Sequence, residues 1–392
     1  GDWADVGSQY YVESYSNILR IIDEVGLSHL KRKVEGDIRI YTGDGPGEHF
    51  DFNPKKPWMP GGSILENLQF LWYAAKLLVT NKSDKYAPSP RGSKIDNKLA
   101  IESTKSKFIQ NNLIRMSTRT GLLNDLEDSQ VQLLHLQHQL ASYGTNGLVT
   151  LEGGTGSLHQ ALAGRATVHY NSPVKMLNEM NGRVTGFTHE SGEVIEADHT
   201  VVAANAVHAA KLIPDNWALE KAYLSRIEQV PTIIVSLYLS EQLPEKFLTT
   251  FLPFDHDTDV SFCTDANVET KGTTDQRSGK TTMQAWIINP KAAKHMDKTD
   301  AELIQLVRQN LAPYMPHIDN LIESTAVTRH QHTVPQFHVG HNEETHDFLD
   351  STDARDGVSF CGDYVSNGNM ESSVWCVQRM VKRIGEAQRS AA

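Results

Sequence analysis

Hydrophobic positions recur along the chain with two periods. Ile18, Leu19, Ile21, Ile22 and Val25 fall at helical spacing and predict a helix over Ser14–Val25, closed by Gly26. Ala4–Tyr11 and the alternating stretch Val34–Tyr41 read as strands, and the Gly- and Pro-rich stretch from Thr42 to Pro60 as loop. Ile64–Thr80 is a dense apolar helix in which Glu66, Asn67, Gln69 and Lys76 supply one wet face, as in a core helix. The alternative is the wall of an apolar tunnel or a surface that touches membrane. Asn81–Asn97 reads as loop. Helical patterns resume over Ile101–Met116 and Asp128–Ala141, separated at Thr118-Arg119-Thr120-Gly121.

The second half is richer in strands. Leu148–Glu152 leads into Gly153-Gly154-Thr155-Gly156-Ser157-Leu158, where Ser157 suits the cap of a helix through Ala163. Strands are expected at Ala166–Tyr170, Val174–Glu179, Val184–His189 and Val194–Ala197, with turns at Asn181-Gly182 and Ser191-Gly192. Thr200–Ala204 is uniformly apolar, like a buried parallel strand, and a helix over Ala206–Leu212 is stopped by Pro214. Thr232–Leu239, Asp259–Thr264, Thr282–Ile288 and Ala326–His332 read as antiparallel strands, and Thr299 with Glu302 forms a capping box for a helix to Leu311. Gly357–Tyr364 is then a buried strand and a sharp turn carrying Asp363, before a helix from Met370 to Ile384. That helix start presents free N–H groups and a positive dipole end, a good seat for a group that becomes electron-rich.

Composition narrows the class. The 392 residues exceed one ordinary domain, and two interleaved domains are expected. The net charge of −11, with no basic stripe standing out, argues against nucleic acid as a partner. No apolar run reaches the roughly 20 residues of a membrane span, and peripheral membrane contact stays open. Cys263, Cys361 and Cys376 form no C-x-x-C pair, so a reducing, cytoplasmic compartment is expected. The opening Gly1-Asp2-Trp3 reads like the middle of a domain, which suggests that a preceding segment is missing from this chain or is supplied by another.

Several side chains are candidates for chemistry. Trp286, Phe337 and Tyr364 can line a pocket. His330, His332, His338 and His341 form the densest histidine cluster; no acid or thiol with ligand spacing accompanies them, so no metal site is expected. His332 or His338 can contact substrate or accept a proton.

In this order the segments resemble the flavin amine oxidase superfamily, the group of monoamine oxidases, protoporphyrinogen oxidases and phytoene-desaturase-like enzymes. Four stretches carry the likeness: Asp5–Tyr10, Gly153–Ala163, Val168–Ala204, and Pro335–His341 with Gly362-Asp363 and Met370-Glu371. The resemblance implies an α/β (α+β) fold. A Rossmann-like FAD-binding domain over 1–12, 148–215 and 352–392, incomplete at its N-terminus, would interleave with a substrate domain of mixed sheet and helices over 13–147 and 216–351. It implies FAD, with Val174 at the adenine, Gly153 and Gly154 beside the cofactor, Gly362 and Asp363 at the ribityl or pyrophosphate, and Met370 and Glu371 at the pyrimidine edge. The family's G-x-G-x-x-G turn is absent from the chain. Asn369 stands where amine oxidases place one ring of an aromatic cage; the other cage position falls near Phe337. The implied activity is FAD-dependent removal of hydride from a C–H or C–N bond of an apolar or amphipathic small molecule, for example in secondary metabolism. The alternatives are a desaturase or isomerase on a lipid-like substrate, and a flavin-free binding or scaffold relative.

Overall fold

The computed structural model describes residues 4–34, 36–43, 45–53, 55–56, 58–80, 86–125, 132–143, 146–243, 247–254, 258–265 and 280–391. The chain opens with β1 (Tyr11–Val12), α1 (Ser16–Glu24), β2 (Lys31–Val34), β3 (Asp37–Tyr41), β4 (His49–Phe52) and α2 (Ile64–Thr80). A helical run follows: α3 (Lys107–Ile109) passes through a π-helical turn, Gln110–Arg115, into α4 (Met116–Gly121). Then come α5 (Leu133–Tyr143), β5 (Leu148–Leu151), α6 (Gly156–Ala163), β6 (Val174–Met180), β7 (Arg183–His189), β8 (Val194–Glu196), β9 (Thr200–Val202), α7 (Ala206–Leu212) and α8 (Ala218–Arg226). The last part holds β10 (Thr232–Leu239), β11 (Phe247–Phe251), β12 (Phe262–Asp265), β13 (Thr282–Ile287), α9 (Lys291–His295), α10 (Asp300–Leu311), β14 (Ile322–His330), α11 (His341–Asp353), β15 (Val358–Phe360) and α12 (Met370–Ala391).

A mixed seven-stranded sheet has the order β14-β10-β13-β12-β11-β3-β4, and its central strands β10 and β13 are buried on both faces. Alternate residues of β10 divide between them: Ile233, Val235, Leu237 and Leu239 pack toward α10, while Ile234 faces the layer built by α2, α5 and the α3–α4 run. This is why the whole of β10 is buried. β15 pairs in parallel with β9, with Val358 opposite Thr200. The antiparallel meander β6-β7-β8 abuts them through Val184 N–H to Asp356 O at 2.9 Å. α7, α8 and α11 share one core with β9 and β15, and α1 shares another with the start of α12. Contacts therefore cross the expected domain boundary in several places.

The turn Asn181-Gly182 has both residues at positive φ (52° and 82°), as a tight hairpin requires. Other expectations change. Ala4–Tyr11 is strand only at Tyr11. Val34–Tyr41 splits at Gly36 into β2, which pairs with β5, and β3, which pairs with β4 and β11. The expected helix from Ile101 is a separate 3₁₀ turn over Ile101–Ser103, a break at Thr104, and a helical run from Lys107 that continues through Thr118–Gly121. Ser157 lies inside α6, not at its cap, and Ala166–Tyr170 forms no strand. β14 ends at His330, two residues before the expected strand end at His332. On α2, Asn67 is fully buried, bonded to Met59 and Gly62, and the exposed side is mostly apolar. The expected loop at 81–85 and helix start at 128–131 lie outside the described residues. Among the described residues no helix is long and apolar enough to cross a membrane.

Candidate active site

The side of the large sheet that faces α2 encloses a cavity of about 990 Å³. Phe251, Phe262 and Trp286 form its floor, α2 one wall through Phe70 and Leu71, and the π-helical turn another through Asn112 and Leu113. Trp286 stacks on Phe262 at 5.4 Å and donates its Nε1–H to Thr264 Oγ1 at 3.0 Å. Its polar tip is thereby satisfied, and its ring is left as apolar wall.

One end of the cavity is the segment Gly7–Tyr10, which is held from two sides. Asp5 accepts the Thr155 N–H at 2.9 Å, and Thr155 Oγ1 donates to Ser8 O at 3.1 Å. From the sheet, Gln284 Nε2 donates to Asp5 O at 2.9 Å and His330 Nε2 donates to Val6 O at 2.6 Å. Gly153 and Gly154, at φ of 85° and 89°, make the turn that presents Thr155. The glycine pair is therefore one residue from the group that braces the cavity end. Burial raises the Asp5 carboxyl above its ordinary value, against the Thr155 donors.

The terminal stretch is built around close approaches. A Cβ on Gly362 would lie 2.6 Å from the Tyr364 ring. A Cβ on Gly368, at φ 66°, would lie 2.7 Å from the Phe337 ring. Between them the Asp363 carboxyl is pushed up to about 6 by desolvation, against the backbone N–H groups of Tyr364 and of Asp363 itself. Among the described residues no side chain donates to it. Asn369 caps α12, accepting Ser372 N–H at 2.9 Å, so Met370 opens that helix with the unpaired N–H of a first turn. Glu371 is fully buried and turned the other way: its carboxylate accepts Asn17 N–H and Nδ2–H, both at 2.8 Å, and Ile18 N–H at 2.9 Å. It caps α1 and fixes the start of α12 against it.

Phe337, beside Gly368, stacks on His135 at 4.4 Å and meets His341 edge-on at 4.8 Å. Both ring nitrogens of His135 are buried without partners, and burial beside His138 and His341 holds it neutral. His341 is likewise lowered to about 3 by burial. His138 bonds Asn367 at 2.8 Å. The histidine group is thus His135, His138, His338 and His341. His338 pairs with Glu344 at 2.9 Å, and His332 meets only His208 among the rings, at 5.9 Å, in an exposed position. No three ligating side chains among the described residues converge as a metal site. Tyr364 points into the core against Phe348, its hydroxyl without a partner. Val174 opens β6, paired with His189. Of the sequence candidates, then, Phe337 packs against Gly368, Asn369 caps the helix that Met370 opens, and Trp286 lines the cavity. Tyr364 and His332 do none of these, and His338 reaches Phe337 only through His341, edge-on at 5.5 Å. Gln9, Gln284 and His135 went unread in sequence; only Gln9 carried a signal, inside the Asp5–Tyr10 stretch.

The chain matches the model of flavin containing amine oxidoreductase over residues 1–374. It is 24% identical over 359 residues to the 15-cis-phytoene desaturase of Glycine max, covering 85% of this chain and 61% of that protein, so it spans about three fifths of the relative's length. Its fold is similar to that of cyclohexylamine oxidase from Brevibacterium oxydans, with a TM-score of 0.74 at 17% identity over 99% of this chain and 90% of the other. It is also similar to a protoporphyrinogen oxidase-like protein of Exiguobacterium, with a TM-score of 0.72 at 16% identity, over 96% and 86% of the two chains. The match runs through the cavity walls, the Gly153–Gly154 turn and the Asp363–Met370 stretch alike, and the chain belongs to the flavin-containing amine oxidoreductase family.

Proposed function

We propose that this protein is an FAD-dependent oxidoreductase that takes hydride from a C–H or C–N bond of an apolar or amphipathic small molecule. The carrying observation is the apolar cavity that ends on Gly7–Tyr10, a segment tied by Thr155 to the Gly153–Gly154 turn. The residues fit the cofactor that the family uses. Asp363 is a buried carboxylate short of donors, and hydroxyl groups of a ribityl chain would supply them. The first-turn N–H of Met370 would face the pyrimidine edge, while Gly362 and Gly368 leave room for the Tyr364 and Phe337 rings beside it. A flavin there supplies hydride acceptance. The chain's own residues do the rest. Trp286 and Phe262 present flat apolar walls that orient the substrate, and α12 favours negative charge at its start. Val174 is assigned to the adenine end, and Glu371 acts by holding α12 in place. The two-domain division stated above, and a reducing compartment suited to three buried free thiols, belong to the same reading.

A second reading, desaturation or isomerisation of a lipid-like chain, is favoured by one observation. Asn369 serves as a helix cap where an amine oxidase cage would carry a ring. FAD titration of the purified protein, followed by its visible absorption, tests the cofactor. Bound flavin is expected, with retention reduced roughly 10- to 100-fold in Asp363→Ala. A protein that stays colourless with excess FAD would sink the proposal. Reduction of the bound flavin by an amine or by an apolar alkene, under anaerobic conditions, separates the two readings.

A further inference from the structure

α2 buries one face only. Phe70, Tyr73 and Leu77 point inward, while Ile64, Leu65, Leu68, Trp72 and Val79 are between 54% and 71% exposed. The outward positions recur at helical spacing, so they form one continuous apolar strip about 25 Å long. Trp58 extends it at the N-terminal side. Proteins that remain in water seldom leave such a strip uncovered. The adjoining face of the same helix lines the cavity, and Leu78 belongs to both: it is 41% exposed and it contacts the cavity. The strip and the cavity therefore meet along a single helix.

The charge distribution indicates what covers the strip. Residues 55–107 carry ten Lys and Arg against four Asp and Glu, a net +6 within a chain of net −11. Lys55, Lys56, Lys76, Lys105 and Lys107 are exposed. Lys76 Nζ lies 4.9 Å over the Trp72 ring. The Phe70–Phe108 contact at 6.5 Å brings the segment carrying Lys105 and Lys107 beside α2. Two copies meeting through this strip would bring like charges together. An anionic bilayer would not, and tryptophan rings flanked by long lysines are the usual furniture of a water–lipid boundary.

We propose that α2 docks this protein on an anionic lipid surface. The strip from Ile64 to Val79 enters the interfacial layer, the lysines meet phosphate headgroups, and the cavity opens toward the lipid from which its substrate is taken. The docking stands apart from the redox reading; only the delivery of an oxidisable lipid-soluble substrate rests on it.

Co-sedimentation with vesicles tests this without any redox readout, so it can fail or succeed independently of flavin chemistry. Binding is expected to vesicles containing roughly 30% phosphatidylserine, weaker binding to phosphatidylcholine alone, and a decline as salt is raised. Leu68→Ser with Trp72→Ser, both at exposed positions, should lower partitioning about tenfold or more with an unchanged melting temperature. Lys105→Glu with Lys107→Glu should do the same on anionic vesicles only. Failure of the parent protein to sediment with either vesicle overturns the proposal. So does equal binding by the Leu68/Trp72 variant. A dimer seen in sedimentation velocity and dissolved by that variant, without vesicle binding, makes a second copy the occupant and also overturns it.

Discussion

Replacing Asp363 by asparagine removes a charge that the folded protein holds at a cost. Burial raises this carboxyl from its ordinary 3.8 to about 6, and the two backbone donors beside it do not offset the lost water. Between these values the unfolded chain has released its proton while the folded chain keeps it. The folded state thus binds more protons, and stability falls as pH rises through the window. It is undiminished below about pH 4 and lowered by about 3 kcal/mol above about pH 7. Asparagine has the same shape and cannot ionise. The flavin-free Asp363→Asn protein should therefore match its parent near pH 4 and exceed it by up to about 3 kcal/mol near pH 8. Thermal or urea unfolding across that range reads the difference directly. Added FAD should narrow the gap, because hydroxyl donors reach the parent's carboxylate and not a charge-free amide with equal strength. A parent–variant difference that stays constant with pH, or a variant less stable at neutral pH, would refute the argument.

Two further outcomes follow from buried contacts. Glu371→Gln places an amide NH₂ among the three donors of Asn17 and Ile18, and should cost about 2–4 kcal/mol, seen as a lower melting temperature and faster hydrogen exchange in α1; unchanged exchange there would disprove the cap. Gly368→Ala must fit a Cβ 2.7 Å from Phe337 at φ 66°, and should destabilise by about 1–3 kcal/mol. Phe337→Leu in the same chain should recover part of that loss, and no recovery would show that the Phe337 ring is not the obstacle.

Local signals in the sequence translated well. Asn181-Gly182 needs nothing beyond its own backbone to turn, and Thr299 with Glu302 forms both reciprocal bonds of its capping box. The apolar runs at Thr200 and Val358 were legible as paired strands because each is short and uncharged; burial is complete only in the second, since Val201 is left exposed. Features set by distant partners were not. Gly36 divides one apparent strand between two sheets, since its neighbours pair with residues more than a hundred positions away. Ala166–Tyr170 has strand composition but no partner strand. On α2 the polar residues suggested a wet face, yet Asn67 is taken up by the preceding turn and leaves the water side to Leu68 and Trp72. Tyr364 and Trp286 looked alike as pocket rings. Their fates differ because one follows a sharp turn into the core and the other lies on the cavity side of β13. His135 carried no sign of its position, since Phe337 and His341 lie about two hundred residues later.

The π-helical turn Gln110–Arg115 houses one residue more than an α-helix of the same rise would. Everything beyond it is turned by about 100° relative to an uninterrupted helix. That rotation sets Met116 on the cavity and brings Arg119 to Asp125 at 2.6 Å. The shape of the chamber thus depends on a residue count as well as on residue identities. A homologue shorter by one residue in this turn could keep every wall side chain and still enclose a differently shaped space. Single-residue length changes here are a route by which one scaffold can be retuned from one substrate to another without altering its chemistry.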